Sequence, residues 1–521
     1  MRPGFIVILL ILVAVPYVTA LQHAFVYDDH GSIVENPFLR DPANLRAAVT
    51  LATVADPSVP DGRRPMVILS YFLDRVVWGL APFGYHLTNV FLHLFAVVLV
   101  FILVRRLAPD EPFFQAASAL LFGLHPVLTE VVQVPAFRED LLVTVFVLLY
   151  LLACTASARP AWWRMAVGML ALVAALVSKE SAAVAPLLLL WLWICFPAVR
   201  PARRTATLLL GAQVAVVAWF ASAWILGGSL QAASTEAPAF GLRFPVNLLT
   251  APLLWLKTLR MLVWPHPLLT DYVIDPVTSP LDPPFLAGVG ALLGCAALAL
   301  AYVRRQPWLS LGLGWMMAAF LPVSNLVPLY NPFAERYLYF MAIGFALLLA
   351  RALTTRPRRP ARPVLLAAVA TVYGALAIAR LADWADDYTL WSRTLEQEPR
   401  SSRAHTWVGL ELKHRGAVME ALRHLMTADQ LNPQDVTALI NIAVIYGEHG
   451  RLAEAESALR EAIRRRPDKA DAHWNLAVAL QQQGKEEEAT TELARTLELD
   501  PRHEPASSLP PWSGPPPVTP D

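Results

Sequence analysis

Long apolar runs separated by short polar loops occupy the chain from residue 4 to residue 381. A helix crosses a bilayer with about 20 apolar residues, so the longer runs are candidate membrane spans. They lie at 4–21, 87–104, 113–128, 140–156, 162–177, 182–197, 206–226, 285–303, 308–324, 337–352 and 364–381. The pattern predicts an all-α, polytopic transmembrane helix bundle of about eleven spans. Lys257 and Arg260 interrupt the stretch 245–264, so the pattern leaves open whether it spans the membrane or lies in the interface.

Arginine-rich loops follow every second predicted span, which sets an orientation. They contain Arg105 and Arg106, Arg159 and Arg164, Arg200, Arg203 and Arg204, Arg304 and Arg305, and Arg351 to Arg362. The positive-inside rule places such loops in the cytoplasm. We therefore expect the N-terminus inside and everything after residue 381 outside. The first apolar run lacks a clean small-residue cleavage site, which favours an uncleaved first helix over a signal peptide.

Beyond residue 381 the pattern changes to charged, alanine-rich helices with an internal repeat. Gly416, Gly450 and Gly484 recur every 34 residues, and alanine, leucine and proline positions keep the same register. A period of 34 with paired helices is the tetratricopeptide (TPR) signature, and stacked pairs bury a continuous core as an α-solenoid. The predicted domains are 1–382 for the membrane domain with a first outer loop at about 22–86, 383–400 for a half repeat, 401–502 for three repeats, and 503–521 for a disordered, Pro-rich tail.

Composition agrees with a membrane protein and narrows its function. Of the 521 residues, 56% are hydrophobic and 16% are charged, against about 25% charged in an average soluble domain. The formal net charge is +1, and no basic stripe interleaved with aromatic residues appears, so we predict no nucleic-acid partner. Cys154, Cys195 and Cys295 all fall in apolar runs without CxxC spacing, which indicates packed side chains rather than disulfides or a metal site.

Polar residues at the ends of the predicted spans gather on the predicted outer side. Asp28 and Asp29 follow the first span, and an amphipathic helix over 64–80 is suited to the membrane interface. The other candidates are His86, His125, Glu130, Arg138, Asp140, Lys179, Glu180, Glu335 and Arg336. Charges at membrane depth are costly unless they pair or have a function. Considered alone, Lys179 and Glu180 could form an ion pair without a functional role. His125 could instead cap the end of a helix.

A carboxylate and several cations at one membrane face suit a particular reaction. The carboxylate can deprotonate a hydroxyl acceptor, while arginine or lysine neutralises charge on a departing phosphate. This is the chemistry of sugar transfer from a lipid phosphate. The sequence contains no HExxH, GxSxG or Walker motif, which removes the signatures of zinc proteases, serine hydrolases and P-loop enzymes.

Several stretches also resemble a known family. These are FVYDDHGSIVENP, GRRPMVILSYFLDRVVWGLAPFGYHLTNVFLHL, GLHPVLTEVVQVPAFREDLL, SKESAAVAPLLLLWL, LVWPHPLLTDY and NPFAERYLYF. Together with the repeats they resemble the transmembrane-and-TPR O-mannosyltransferases, which belong to the GT-C class. The resemblance implies an inverting transferase that moves mannose or a related sugar from polyprenyl or dolichyl phosphate to a Ser or Thr hydroxyl. It implies that Asp28 or Asp29 is the base, and the other candidates above are assigned to the donor phosphate or sugar.

The resemblance also implies the partners and the location. We expect a lipid-linked sugar donor, an exported protein or glycan as acceptor, membrane lipid, and a protein partner on the TPR array. The Arg-, Ala- and Pro-rich composition favours a bacterial inner-membrane protein with periplasmic repeats, or the ER membrane with luminal repeats in a eukaryote. No cofactor is expected to be required, although a divalent cation could take part. The alternatives are a non-catalytic, membrane-anchored TPR scaffold and a transporter, but transporters usually hold their ionisable residues near the midplane.

Overall fold

A computed structural model of the protein describes residues 3–55, 59, 62–155, 162–226, 242–355, 360–500 and 503. All regular elements within these ranges are helical, which confirms the all-α prediction. The chain divides into two compact units. The first comprises Met1–Thr270 and Ile274–Asp386, and the second comprises Asp271–Val273 and Asp387–Asp521. The division falls a few residues after the boundary predicted at 382, and it assigns residues 387–400 of the predicted half repeat to the second unit.

Fifteen α-helices of the first unit lie within the described ranges. They are α1 Pro3–Ala14, α2 Leu45–Val49, α3 Pro65–Trp78, α4 Pro82–Leu107, α5 Pro112–Gly123, α6 Thr129–Gln133, α7 Arg138–Cys154, α8 Trp162–Leu176, α9 Ala185–Cys195, α10 Arg203–Leu226, α11 Val246–Val263, α12 Pro283–Ala301, α13 Pro307–Phe320, α14 Met341–Thr355 and α15 Ala361–Asp383. Proline stands at the start of several of them, where its fixed φ suits the first helical turn and its missing N–H costs nothing. These prolines explain why the apolar pattern breaks into helices at those positions.

Five of the described helices are long and apolar enough to cross a membrane, namely α4, α10 through Ser222, α11, α12 and α15. A sixth candidate is the pair Pro112–Gly123 and Pro126–Gln133, which is bent by 50°. Other predicted spans fall on shorter apolar helices such as Trp162–Leu176 and Met341–Thr355. The chain is thus a multi-pass membrane protein, while the count of about eleven spans and the orientation stay predictions. The stretch 245–264 forms a single helix, and its place in the membrane stays open.

The amphipathic helix expected over 64–80 corresponds to α3. Its buried face carries Val67, Ile68 and Tyr71, which pack in a core with the first loop. Leu73, Val76 and Val77 are exposed on the opposite side, as expected for a helix that contacts the membrane interface. The helix therefore carries apolar residues on two sides, because Phe72 is buried while Leu73, Val76 and Val77 are exposed.

Short 3-10 turns connect the helices where the polar candidates lie. They are Pro126–Leu128, Pro135–Phe137, Glu180–Val184 and Glu335–Leu338. The turn Pro126–Leu128 packs against Glu335–Leu338, and Glu180–Val184 packs against the turn Leu321–Val323 that follows α13. The ends of sequence-distant helices are therefore brought together around one site.

The second unit contains the repeat array. Its helices are α16 Asp387–Gln397, α17 Ser402–His414, α18 Val418–Leu431, α19 Thr437–Glu448, α20 Leu452–Arg465, α21 Ala470–Gln482 and α22 Glu486–Leu499. Gly416, Gly450 and Gly484 stand between the paired helices with φ of 77°, 71° and 77°, a left-handed conformation that glycine adopts without steric cost. The paired helices follow the predicted period of 34, while the division of 401–502 into three repeats stays a prediction. The tail at 503–521 lies outside the described residues apart from His503.

Candidate active site

The turns and helix ends of the first unit enclose a polar cavity of about 250 Å³. Its walls carry three carboxylates, of which Asp28 belongs to the first loop, and three cations from three different parts of the chain. The lining residues are Asp28, Ser32, Arg64, Ala136, Phe137, Glu139, Lys179, Glu180, Ser181, Pro322, Val323, Leu329, Tyr330, Arg336 and Tyr337. Four of the residues predicted from sequence therefore share one open volume, namely Asp28, Lys179, Glu180 and Arg336.

The two adjacent aspartates occupy different environments. Asp29 is fully buried, and its carboxylate accepts backbone N–H groups from Ala136 at 2.7 Å and Val26 at 3.3 Å. Asp28 is partly exposed and lines the cavity. The two residues stand at the start of a helical turn, where successive side chains diverge by about 100°. Tyr27 precedes them with a φ of 55°, which is uncommon outside glycine, and its ring packs on Phe137.

Two of the cavity cations belong to a single ion-pair network. Arg64 bonds to Glu139 at 3.1 Å and to Glu180 at 3.3 Å, and Lys179 bonds to Asp140 at 2.6 Å. Lys179 also lies 3.7 Å from Glu139, which connects the two cations. Each cation is held in place by carboxylates, yet Arg64 and Lys179 both border the open cavity. The network can therefore position positive charge for an anionic ligand.

Arg336, the third cation, is held in place by a buried carboxylate and an aromatic ring. Glu130 is buried and accepts the Arg336 guanidinium at 2.9 Å and its backbone N–H at 2.6 Å. The guanidinium also lies 4.2 Å from the centroid of the Phe137 ring, within cation–π range. Glu130 was predicted to contact the donor. In the structure its part is to hold Arg336, because its carboxylate is occupied by that residue and lies outside the cavity lining.

The electrostatics of the site favour charged cations and a neutral Asp29. Burial by itself lowers the pKa of Lys179, but the neighbouring Asp140 and Glu139 outweigh it, so the pKa is raised and the ammonium stays charged. Burial raises the pKa of Asp29 to about 8, although the two backbone N–H groups oppose the shift. A carboxyl group that is sealed in this way cannot reach a substrate in the cavity, whereas Asp28 can.

An apolar cleft of about 320 Å³ lies between α9, α12 and α13. Leu187 and Trp191 come from α9, Ala296 comes from α12, and Phe320 and Leu321 end the cleft at the turn after α13. The next two residues of the chain, Pro322 and Val323, line the polar cavity. The residues that line the cleft and those that line the cavity are thus neighbours in one turn of the chain.

Comparison with known proteins agrees with this architecture. A tetratricopeptide repeat family model matches residues 440–504. Protein O-mannosyl-transferase TMTC3 of Mus musculus is 26% identical over 491 residues, which is 86% of this chain and 53% of that protein. Tmtc1 of Drosophila melanogaster, another protein O-mannosyl-transferase, is 35% identical over 182 residues, which is 34% of this chain and 21% of that protein. The chain resembles the transmembrane-and-TPR O-mannosyltransferases.

The extent of that resemblance is limited by length. The chain spans about half the length of the O-mannosyltransferases that it matches over most of its own length. The crystal structure of ArnT from Cupriavidus metallidurans bound to undecaprenyl phosphate gives a TM-score of 0.41 at 14% identity, covering 96% of this chain and 89% of that one.

Arg138 was predicted from the O-mannosyltransferase resemblance to contact the donor, and the structure places it elsewhere. It is fully buried and forms an ion pair with Asp74 at 2.6 Å. Its remaining donors reach Asn89 at 2.7 Å, Ser70 at 3.1 Å and the Tyr85 carbonyl at 3.1 Å. With its donors engaged inside the protein, Arg138 ties α3, α4 and α7 together and has no access to the cavity.

Four other predicted residues also lie away from the cavity lining. His86 is fully buried in α4, and Asp140 stands behind Lys179. The His125 imidazole accepts the Val127 N–H at 3.4 Å and meets the Leu262 carbonyl at 2.9 Å, so it serves as the cap of a 3-10 turn. Glu335 is buried and pairs with Arg380 at 3.2 Å. These side chains lie outside the cavity lining and make contacts within the protein.

The structure adds Arg64 and Glu139, which were not among the predicted site residues. Both were visible as charges in the predicted outer loops, at 64 in GRRP and at 139 in FRED. GRRP contains two adjacent arginines, and only the structure distinguishes them, because Arg64 lines the cavity and Arg63 does not. Tyr330 and Tyr337 also line the cavity and supply aromatic surfaces.

Proposed function

We propose that the chain is a membrane glycosyltransferase that moves a sugar from a polyprenyl or dolichyl phosphate to a hydroxyl acceptor. The observation that carries the proposal is the shared cavity, in which the Asp28 carboxylate faces the same volume as Arg64, Lys179 and Arg336. Tyr330 and Tyr337 suit a sugar, whose C–H faces pack on aromatic rings. A non-catalytic scaffold would need neither the enclosed cavity nor three cations held around it.

The proposed reaction is an inverting displacement at the anomeric carbon. The acceptor hydroxyl oxygen attacks that carbon and passes its proton to Asp28. The bond between the anomeric carbon and the phosphate oxygen breaks, and the lipid phosphate departs with the bonding electron pair. Arg64, Lys179 and Arg336 stabilise the negative charge that develops on the phosphate. Attack and departure on opposite faces of the sugar invert the configuration.

Asp28 and Asp29 have separate roles in this proposal. Asp28 is the base because it is the aspartate of the pair that lines the cavity. Asp29 is a positioning residue, since its contacts with Val26 and Ala136 connect the first loop to the turn that carries Phe137. That arrangement holds Asp28 on the wall of the cavity that Arg336 also lines, and Arg336 stacks on Phe137.

The apolar cleft fits the lipid part of such a donor. A polyprenyl chain that entered between α9, α12 and α13 would leave the cleft at Leu321 and bring its phosphate into the cavity at Pro322. The donor would thus have its apolar tail in the membrane and its charged group beside the cations. An apolar cleft and a polar cavity lined by consecutive residues of one turn are the reason to prefer a lipid-linked donor over a soluble nucleotide sugar.

The sugar and the protein acceptor are inferred from the similarity to protein O-mannosyl-transferases, and the location is inferred from the charges of the loops. We infer a Ser or Thr hydroxyl of an exported protein as the acceptor, a mannose-like sugar as the transferred group, and the outer side of the membrane as the site of reaction. The TPR unit would bind the acceptor or a partner protein, as helical repeats provide extended binding surfaces.

We propose that the reaction needs no metal ion, because three cationic side chains already supply the charge that a departing phosphate requires. Transfer by the purified chain should therefore persist in the presence of a chelator. Loss of activity in chelator that is restored by Mg²⁺ or Mn²⁺ would show that a divalent cation takes part.

Mass spectrometry of exported proteins from cells with and without this chain tests the proposal directly. Hexose on Ser or Thr should disappear when the chain is absent and return with the wild-type chain, but not with Asp28→Asn at equal membrane abundance. Unchanged glycosylation in the deletion, or full restoration by Asp28→Asn, would contradict the assignment.

A further inference from the structure

Two histidines of the first TPR repeat face each other across neighbouring helices. His405 on α17 and His424 on α18 bring their Nδ1 atoms to 3.0 Å, with ring centroids 5.1 Å apart. Both side chains are partly exposed. The Nε2 atom of His405 lies 3.3 Å from the Pro399 carbonyl, so this nitrogen carries the proton and Nδ1 presents its lone pair to His424.

Equivalent positions in the other repeats show that this pair is particular to the first repeat. The positions 34 residues later hold Leu439 and Ala458, and the positions 68 residues later hold His473 and Glu492. His473 repeats the local geometry, with Nε2 at 3.2 Å from the Pro467 carbonyl and Nδ1 at 2.5 Å from the Glu492 carboxylate. The third repeat therefore offers a histidine with a carboxylate partner, whereas the first repeat offers two imidazoles whose Nδ1 atoms face each other.

We propose that His405 and His424 form a binding site for a divalent transition-metal ion, with Zn²⁺ as the best-fitting ion. A tetrahedral Zn²⁺ with Zn–N distances of about 2.0–2.1 Å separates two nitrogen ligands by slightly more than the present 3.0 Å. Metal-binding histidines characteristically donate their second ring N–H to a carbonyl, as His405 does to Pro399. A small separation of the two rings would therefore admit the ion.

Glu420 supplies the third ligand. It precedes His424 by one turn of α18, and both residues line a cleft of about 270 Å³ beside the histidine pair. Its exposed carboxylate now lies 3.6 Å from Arg423. As the side chains stand, no three His, Cys, Asp or Glu residues converge on one point in the described part of the chain, so Glu420 must rotate to complete the site. Water would take the fourth position.

The protonation of the pair is compatible with metal binding at neutral pH. Burial and the neighbouring His424 lower the pKa of His405, and burial together with Arg423 lowers the pKa of His424 although Glu420 opposes this. Both imidazoles are then neutral. On binding, the His424 proton moves from Nδ1 to Nε2, and both Nδ1 lone pairs become ligands. Because protons compete for these lone pairs, acid pH should weaken binding.

Calorimetric titration of Zn²⁺ into the purified full chain, in detergent and without a polyhistidine tag, tests the proposal. The wild type should bind one equivalent of Zn²⁺ that His405→Ala and His424→Ala each weaken by about tenfold or more. Glu420→Gln should weaken it less. His473→Ala is the matched control and should bind Zn²⁺ as the wild type does.

The outcomes separate a built site from general imidazole binding. Wild-type Zn²⁺ binding in both His405→Ala and His424→Ala would overturn the proposal, as would an equal loss in His473→Ala. Circular dichroism must show unchanged helicity in each variant. Should His405→Ala fail to fold, His424→Asn gives the same test. The result does not depend on the glycosyltransferase proposal, since it is read from Zn²⁺ binding alone.

Discussion

Two groups of buried charge in the membrane unit look alike in sequence and differ in the structure. The cavity cations, Arg64, Lys179 and Arg336, border an open volume of about 250 Å³ while their carboxylate partners hold them. Arg138 lies in a closed cluster with Asp74, where its donors are consumed by protein atoms. Both groups stand at the ends of apolar helices.

The difference teaches that pairing with a carboxylate does not identify a functional charge. Buried ion pairs contribute little net stability, yet breaking one leaves an uncompensated charge at high cost. Arg138 is of this kind, and it serves the packing of α3, α4 and α7. The cavity cations border the open cavity. A phosphate there can therefore bind to them together with their carboxylate partners or in place of those partners. Access to the cavity is therefore the property that separates the two groups.

The strongest test of this comparison concerns the two aspartates, which divide in the same way. Asp28→Asn should lower kcat by about 10²–10⁴, the usual contribution of a general base. Asp29→Asn keeps the base and one of the two backbone contacts, so kcat should fall less. Turnover can be measured with a purified chain, a lipid-linked sugar and an acceptor peptide. Wild-type turnover in Asp28→Asn with a larger loss in Asp29→Asn would reverse the assignment.

Arg138→Met should lower the free energy of unfolding rather than the rate of turnover. Removing the guanidinium leaves the Asp74 carboxylate buried without its charge partner, which costs about 3–5 kcal/mol. Denaturant unfolding in detergent micelles, followed by tryptophan fluorescence, would measure this loss of stability. Arg305→Met is the control, because Arg305 is exposed and surface changes usually stay within about 0.5 kcal/mol. If Arg138→Met folds with wild-type stability but binds the donor poorly, Arg138 belongs with the cavity cations.

The repeat unit was predictable from sequence because its signals are local. Glycines with positive φ, helix lengths and the period of 34 all lie within one repeat, and each repeat contacts mainly its neighbours. The membrane unit was predictable only in outline. Its apolar runs indicate helices, but they do not specify which helix ends meet.

The site required contacts between distant parts of the chain. Glu130 and Arg336 are 206 residues apart, and Arg64 and Glu180 are 116 residues apart. Sequence placed Asp28, Lys179, Glu180 and Arg336 on one predicted face, and the structure puts all four on the cavity wall. The sequence could not distinguish Asp28 from Asp29, or Arg64 from Arg63, because adjacent residues of one type look alike in a sequence. They differ only in the direction in which their side chains point.

Arg64→Gln tests the cavity cation that sequence alone did not select. Its side chain is partly exposed and bonds to Glu139 and Glu180, so the substitution should spare folding. We expect the KM for the donor to rise about tenfold or more, which corresponds to about 1.4 kcal/mol. Arg63→Gln is the matched control, since Arg63 is the neighbouring arginine outside the cavity lining. Equal effects of the two substitutions would show that access to the cavity does not separate functional charges from structural ones.

The smallest expected effect concerns the apolar cleft, which extends the comparison from charge to the lipid tail. Ala296 lines the cleft, while Ala297 on the same helix is exposed on its outer surface. Ala296→Trp should occupy space that a polyprenyl chain needs and raise the donor KM several-fold, whereas Ala297→Trp should not. The effect should shrink for donors with short prenyl chains, because these place less apolar surface in the cleft. A KM that depends on chain length equally in both variants would place the lipid tail somewhere else, and the cavity would then have to receive the donor phosphate by another route.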